Sequence, residues 1–224
     1  MSVVVPRIAV PVTASTMEEA LADIDVAAAA ADIVELRIDY MKEKPDLERL
    51  LRRSTKPVIV TNRHSAEGGK FQGSEEERVA YLQQAIELGA AYVDIELNYF
   101  PNLVRNPQTM LIVSYHNFRE TPENLLQIYC QIVNKGANIA KIATMAQNPN
   151  DSSRMLDFVA QIAHAGGNII GLCMGEEGKS TRILAQTYGG YLTYAALSND
   201  KSSAPGQLTV AELRKAWELL PAKS

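Results

Sequence analysis

Short apolar strands alternate with helical segments along the whole chain, and this alternation is the strongest constraint on its fold. Residues 7–12, 31–37, 57–61, 92–97 and 110–114 read as the first five strands. Residues 137–143, 168–172 and 190–194 read as the last three. Helical segments follow each of them. Ser15-Thr16 offers an N-cap, with Glu18 and Glu19 in the first turn of an alanine-rich helix. Pro45 is a good first-turn residue for a helix over 45–53. Ser74 with Glu77 forms a capping-box signature for a helix that stops at Gly89. Residues 98–106 allow only a short helix, and Thr121-Pro122-Glu123-Asn124 starts one that ends at Gly136. The remaining helices are expected over 150–164, 178–186 and 208–220, the last stopped by Pro221.

Strand–helix alternation implies a parallel sheet. Eight such units in 224 residues fit a closed α/β barrel of the (β/α)₈ TIM type, a single domain over 1–224 with few insertions. A doubly wound open sheet is the alternative. It would more naturally carry a glycine fingerprint after the first strand, and Pro11-Val12-Thr13-Ala14 is not one. Composition narrows the partners. A net charge of -4 with no Lys/Arg block argues against nucleic acid. Cys130 and Cys173 are too few and too far apart for a zinc site or a disulfide framework. No apolar run is long enough to span a bilayer, and the N-terminus lacks a signal-peptide pattern, so a cytoplasmic setting is expected.

Lys141 stands out within Ala-Asn-Ile-Ala-Lys-Ile-Ala, a stretch of mostly small and apolar residues. Lysine is almost never buried unpaired, and no local partner is evident. Either the side chain snorkels from an edge strand, or an apolar pocket keeps part of it neutral and able to attack a carbonyl. The other strand ends favour the second reading, because the C-terminal ends of barrel strands form the active-site face. Glu35 and Arg37 end the second strand and share a face, as a salt bridge in the barrel mouth would require. Arg63 lies just past the third, with Glu67 following in a glycine-containing loop. Asp94 and Glu96 end the fourth, His116 follows the fifth, and Met174 follows the seventh. Arg182 lies in the next helix, and Tyr194 ends the eighth strand before a loop holding Ser203 and Gln207. This set supplies an amine nucleophile, an imidazole and several guanidinium groups for an anionic, oxygen-rich substrate. His64 and His164 lie on other elements, His164 within a helix. The residues alone leave three readings open: a Schiff-base aldolase or dehydratase, a phosphate-sugar isomerase, and a non-catalytic binding barrel.

Taken together, Glu35-Leu36-Arg37-Ile38-Asp39, Arg63 with Glu67-Gly68-Gly69, Asp94-Ile95-Glu96, Ser114-Tyr115-His116-Asn117-Phe118 and Lys141-Ile142-Ala143 form a specific pattern. Met174-Gly175 with Gly178 through Arg182, and Ser203 through Gln207, extend it. The pattern resembles type I 3-dehydroquinate dehydratase, the Schiff-base enzyme of the shikimate pathway of aromatic amino acid biosynthesis. The resemblance implies that Lys141 forms an imine with the ketone of 3-dehydroquinate, that His116 shuttles protons, and that Glu67 supports His116. It implies that Arg37, Arg63 and Arg182 hold the carboxylate and hydroxyls, helped by Glu35, Ser203 and Gln207, with Met174 beside the ring. Tyr194 stands where the family often has phenylalanine and adds a hydroxyl. Water is lost with syn geometry to give 3-dehydroshikimate, without cofactor or metal, and a homodimer is implied.

Overall fold

A computed structural model describes residues 6–220. Pro221 lies outside them. The strands are β1 (Ile8–Val12), β2 (Ile33–Arg37), β3 (Val58–Thr61), β4 (Tyr92–Glu96), β5 (Met110–Asn117), β6 (Ile139–Met145), β7 (Ile169–Met174) and β8 (Thr193–Tyr194). The helices are α1 (Met17–Ala30), α2 (Leu47–Arg53), α3 (Glu75–Glu87), α4 (Leu125–Asn134), α5 (Pro149–His164), α6 (Lys179–Leu184) and α7 (Val210–Glu218). All strand pairs are parallel, in the order β7-β6-β5-β4-β3-β2-β1-β8. The strand β1 pairs with both β2 and β8, and Tyr191 N–H donates to the Ile169 carbonyl at 2.7 Å across the remaining seam. The sheet therefore closes, nearly completely, into the expected barrel.

Period-two alternation divides each strand between two cores. Ala9, Ile33, Ile59, Tyr92, Ile112, Ile139, Ile170 and Leu192 fill the barrel interior, each strand contributing or adjoining one. Outward residues such as Val10, Val34, Val60 and Val93 pack against Ile24, Leu50, Leu82 and Ile86 of α1, α2 and α3. On the other side, Val113, Ala140 and Ile142 meet Ile128, Ile132, Met155 and Val159 of α4 and α5. Burying both strand faces accounts for apolar runs that show little polar alternation.

Thr16 with Glu19 and Ser74 with Glu77 form the capping boxes of α1 and α3. Other boundaries differ from expectation. The cap of α2 is Asp46, whose side chain accepts from Arg49 N–H, so Pro45 precedes the helix instead of opening it. The helix α4 begins at Leu125, because the Thr121 hydroxyl turns inward to Thr144 and to the Met145 carbonyl. Residues 98–106 hold no α-helix. A single 3-10 turn at Leu97–Tyr99 is followed by chain whose Val104 is tied to Gln83 of α3. The strand β5 runs on to Asn117, paired with Thr144, which lifts His116 on a strand and not on a loop. Gly136 closes α4 with φ of 77°, a conformation strained for other residues.

The start of the described chain is clasped to the 3-10 turn after α6. Arg7 N–H donates to Gln186 Oε1, and Gln186 Nε2 donates to the Arg7 carbonyl, each at 2.6 Å. No helix among the described residues is long and apolar enough to cross a membrane.

Candidate active site

The inward phase of each strand places Glu35, Arg63, Asp94, Ser114, His116, Lys141, Met174 and Tyr194 toward the C-terminal mouth of the barrel. Eleven of the sequence candidates line one cavity there, Lys141, His116, Glu67, Glu35, Arg37, Arg63, Met174, Arg182, Tyr194, Ser203 and Gln207, while Asp94 and Glu96 of the strand-end set are not part of its lining. Phe118, Leu172, Ala143 and Pro205 complete the wall. Arg182 comes from α6, Ser203 and Gln207 from the loop after β8, and Glu67 from a turn after β3. Glu67 sits in the 3-10 turn Ser65–Glu67, and the chain then doubles back so tightly that a Cβ at Gly69 would lie 1.7 Å from the Arg63 carbonyl oxygen. Glycine at that position lets the loop return over the mouth with Glu67 turned in.

Lys141 is buried, but it is not the unpaired amine expected from its neighbours. Its Nζ donates to Asp94 Oδ2 at 2.7 Å and stands 4.5 Å from the centre of the Tyr194 ring. Asp94 Oδ1 takes the Arg63 guanidinium at 2.9 Å and the Ser114 hydroxyl at 2.6 Å. Arg63 also donates to Glu96 Oε1 at 3.0 Å, and Glu96 Oε2 accepts from Arg78 at 2.8 Å. Burial opposes charge on Asp94, but Arg63 and then Lys141 outweigh it and hold this carboxyl below the usual range. Burial likewise opposes the charge on Arg63, and Asp94 and Glu96 outweigh it, so the guanidinium is held above its ordinary value.

His116 Nδ1 meets Glu67 Oε2 at 2.8 Å, which leaves Nε2 as the ring nitrogen available to a ligand. Asn98 supports the pair by donating to Glu67 Oε1 at 3.3 Å. Burial, reinforced by Arg63 and Lys141, pushes His116 well below the ordinary histidine value. Burial pushes Glu67 up to about 7, with Arg63 opposing and Glu96 and Asp94 adding to the rise. Both shifts favour a pair that shares one proton instead of a separated imidazolium and carboxylate.

The opposite wall is short of acceptors. Arg182 is 2% exposed, and its guanidinium reaches only the Pro205 carbonyl, at 3.2 Å; its Nε has no partner. Burial pulls this guanidinium down to about 10. The Tyr194 hydroxyl and Gln207 Nε2 are also buried without partners. Gln207 Oε1 is occupied by Ser203, through its N–H at 2.8 Å and its hydroxyl at 3.2 Å. Buried orphan donors are rare, and several converging on one cavity suit a ligand with acceptor oxygens. Arg37 and Glu35 do not form the salt bridge with each other that their shared face suggested. Arg37 forks onto Asp39 with two bonds of 2.8 Å, and Glu35 accepts from the Thr61 hydroxyl at 2.8 Å. Asp39 gives the guanidinium a planar two-bond fit, and the hydrogen bond of Glu35 goes to Thr61 through Oε1. Among the described residues, no three His, Cys, Asp or Glu side chains are grouped to hold a metal ion.

The profile of the type I 3-dehydroquinase family matches residues 8–224. The chain belongs to this family. A relative named 3-dehydroquinate dehydratase from Methanocaldococcus jannaschii is 39% identical, covering 96% of this chain and all of that one. A bifunctional 3-dehydroquinate dehydratase/shikimate dehydrogenase of Arabidopsis thaliana is also 39% identical, over 82% of this chain and 32% of the plant protein. Among solved structures, the Clostridium difficile type I 3-dehydroquinate dehydratase with covalently modified comenic acid superposes with a TM-score of 0.85 at 26% identity. That match covers 96% of this chain and 92% of the other. Membership makes the chain a hydro-lyase, a 3-dehydroquinate dehydratase of the type I family.

Other residues of this type I 3-dehydroquinase hold the cavity-lining groups in place. Asp94, Ser114 and Asn98 hold Lys141, Arg63 and Glu67, and Phe118 stacks beside His116 with ring centres 6.2 Å apart. Asp94 and Ser114 were visible as polar residues on inward positions, but Asn98 carries no such signal. His64 stays out of the cavity, stacked on Tyr99 at 3.7 Å, and His164 is an exposed residue at the end of α5. Met155 packs in the outer core.

Proposed function

We propose that this chain dehydrates 3-dehydroquinate to 3-dehydroshikimate through a covalent imine on Lys141. The observation that carries the reading is the placement of a buried primary amine and a neutral imidazole in one cavity, facing orphan donors suited to a carboxylate and hydroxyls. Arg182, with Ser203 and Gln207, takes the substrate carboxylate, and Arg37, Arg63 and Glu35 take its hydroxyls. Met174 and Tyr194 wall the ring. Asp94 aims the Lys141 amine, but Arg63 keeps this carboxylate a weak base, so His116 is the group that moves protons.

Lys141 passes a proton to His116 and attacks the ketone carbon; His116 relays that proton and then a second amine proton to the former carbonyl oxygen, which leaves as water and gives an iminium ion with His116 neutral again. This electron sink acidifies the adjacent C–H bond. His116 Nε2 takes that proton, and the electron pair moves toward the imine nitrogen. Imidazolium then donates the proton to the hydroxyl one carbon further on. The C–O bond breaks and water leaves. Hydrolysis of the conjugated imine returns Lys141 and releases the enone. One imidazole serving both transfers works on one face of the ring, which makes the elimination syn. Glu67 holds the ring orientation throughout.

Borohydride tests the scheme. It should inactivate the protein only when 3-dehydroquinate or product is present, and peptide mass spectrometry should place a reduced adduct on Lys141. Lys141→Ala should lose both trapping and dehydration, while His116→Ala should still trap but dehydrate slower by about 10²- to 10⁴-fold. Enone formation with no trappable Lys141 adduct would defeat the imine. Kinship with the family also leads us to read the chain as a cytoplasmic homodimer. Sedimentation should then give twice the 24.6 kDa chain mass, and a single-chain mass at micromolar concentration excludes the dimer.

A further inference from the structure

We propose that Arg78, on the outer helix α3, is a positioning residue for the reaction: it fixes Glu96 and, through it, Arg63 and Lys141. The inference rests on the function just proposed. Arg78 is 1% exposed although its helix lies outside the barrel. From it runs a file of alternating charge, Arg78–Glu96–Arg63–Asp94–Lys141, with successive contacts of 2.8, 3.0, 2.9 and 2.7 Å. The file begins beneath the surface of α3 and ends on the proposed nucleophile. Both carboxylates are fully buried. A buried carboxylate with two oxygens and a single cation would swing to that cation. With Oε2 of Glu96 pinned by Arg78, Oε1 is left to face Arg63 and the His64 N–H, at 3.0 and 2.9 Å. Arg63 can then send its other nitrogen to Asp94 and not collapse onto Glu96.

The remaining donors of Arg78 point to the same task. Nη1 also reaches the carbonyl of Asn62, the residue before Arg63, at 3.0 Å. Nη2 reaches the carbonyl of Tyr99 at 3.2 Å, next to Asn98, which in turn holds Glu67. A single planar group thus fixes both chain segments that present Arg63, Asn98 and Glu67 to the cavity. Glu75, on the solvent side, accepts from Nε and Nη2 at 2.7 and 2.8 Å and keeps the fork oriented. Leu82 and Ile86 already anchor α3 to the barrel, so burying a guanidinium there is not needed to seat the helix.

Steady-state kinetics on 3-dehydroquinate, with borohydride trapping and melting curves, test this on three variants of the full chain. Arg78→Lys keeps the charge and loses the fork, and Arg78→Met loses both. A misplacement near 1 Å can cost about 10²-fold in rate. We expect kcat to fall about 10-fold in Arg78→Lys and about 100-fold in Arg78→Met. KM should rise by less than kcat falls, because Arg182, Ser203 and Gln207 still take the carboxylate even where the contact of Arg63 with a substrate hydroxyl is loosened. Trapped adduct should form correspondingly more slowly. Glu75→Ala loosens the fork from outside, and kcat should fall by roughly two- to fivefold with an unchanged melting temperature. A folded Arg78→Lys protein with parental kcat overturns the inference, as does a loss of kcat matched by an equal rise in KM. If neither Arg78 variant folds, Glu75→Ala decides, and parental kcat there overturns it. Wild-type protein that neither dehydrates nor traps defeats the proposed function and this inference with it; an active wild type confines any failure to Arg78.

Discussion

Replacing Arg182 with methionine should make the empty protein more stable while removing its ability to use substrate. Arg182 is buried, has no carboxylate partner, and leaves Nε without any acceptor. The drop from 12.5 to about 10 that burial imposes on it corresponds to roughly 3 kcal/mol against the charged form. Relaxation and entering water recover part of that, so a methionine of similar length should stabilise by about 1–2 kcal/mol. For a chain of this size each kcal/mol moves the melting temperature by about 2–4 °C, so a rise of about 2–8 °C is expected. Saturating 3-dehydroshikimate should behave oppositely. At about 100 times its Kd a ligand adds about 2.7 kcal/mol to the parent, and the variant should show little of this. Truncating one partner of a buried charge pair costs about 2–5 kcal/mol, so kcat/KM should fall at least roughly 30-fold. Calorimetry with and without product, together with initial rates, measures all three quantities. A variant that melts below the parent, or that product stabilises equally, would refute the idea that Arg182 is held uncompensated for an anion.

Glu67→Gln tests the shared proton. A glutamate raised from 4.5 to about 7 by burial binds more protons folded than unfolded between those values, so its contribution to stability falls as pH rises through that window. Urea unfolding should therefore show the Gln variant gaining on the parent from pH 4.5 to 7, and a constant difference across that range contradicts the raised value. Tyr194→Phe removes a buried hydroxyl that has no protein partner. Stability should be unchanged or slightly higher, and kcat/KM should fall about 5- to 30-fold if the hydroxyl meets a substrate oxygen. Unchanged kcat/KM removes that contact.

The barrel, and Glu35, Arg37, Arg63, His116, Lys141 and Tyr194 at its mouth, were legible from strand-end position and period-two phase; Glu67, Arg182, Ser203 and Gln207 took their roles from the family pattern, and Leu172 and Pro205 gave no signal. The partner of Lys141 was not legible. Register pairs Lys141 with Ser114 and Ser114 with Glu96, which would nominate Glu96. The actual partner is Asp94, two residues earlier, because strands tilted around a closed barrel bring inward residues level only after a stagger. Pro45 misled for a different reason: Asp46 can cap and proline cannot, so the helix starts two residues later, at Leu47. Arg78 was invisible since a helical arginine three residues after a glutamate reads as an ordinary surface pair.

The clasp between Arg7 and Gln186, beside the pairing of β1 with β8, bears on how the chain is made. Residues near position 186 leave the ribosome late, and until they arrive β1 has a bare edge beside a half-formed sheet. Arg182 and Tyr194 belong to that last segment. The nascent chain thus adds its uncompensated guanidinium to the cavity only when the ring is ready to shut, and a product truncated before residue 182 has an open sheet edge and lacks that guanidinium.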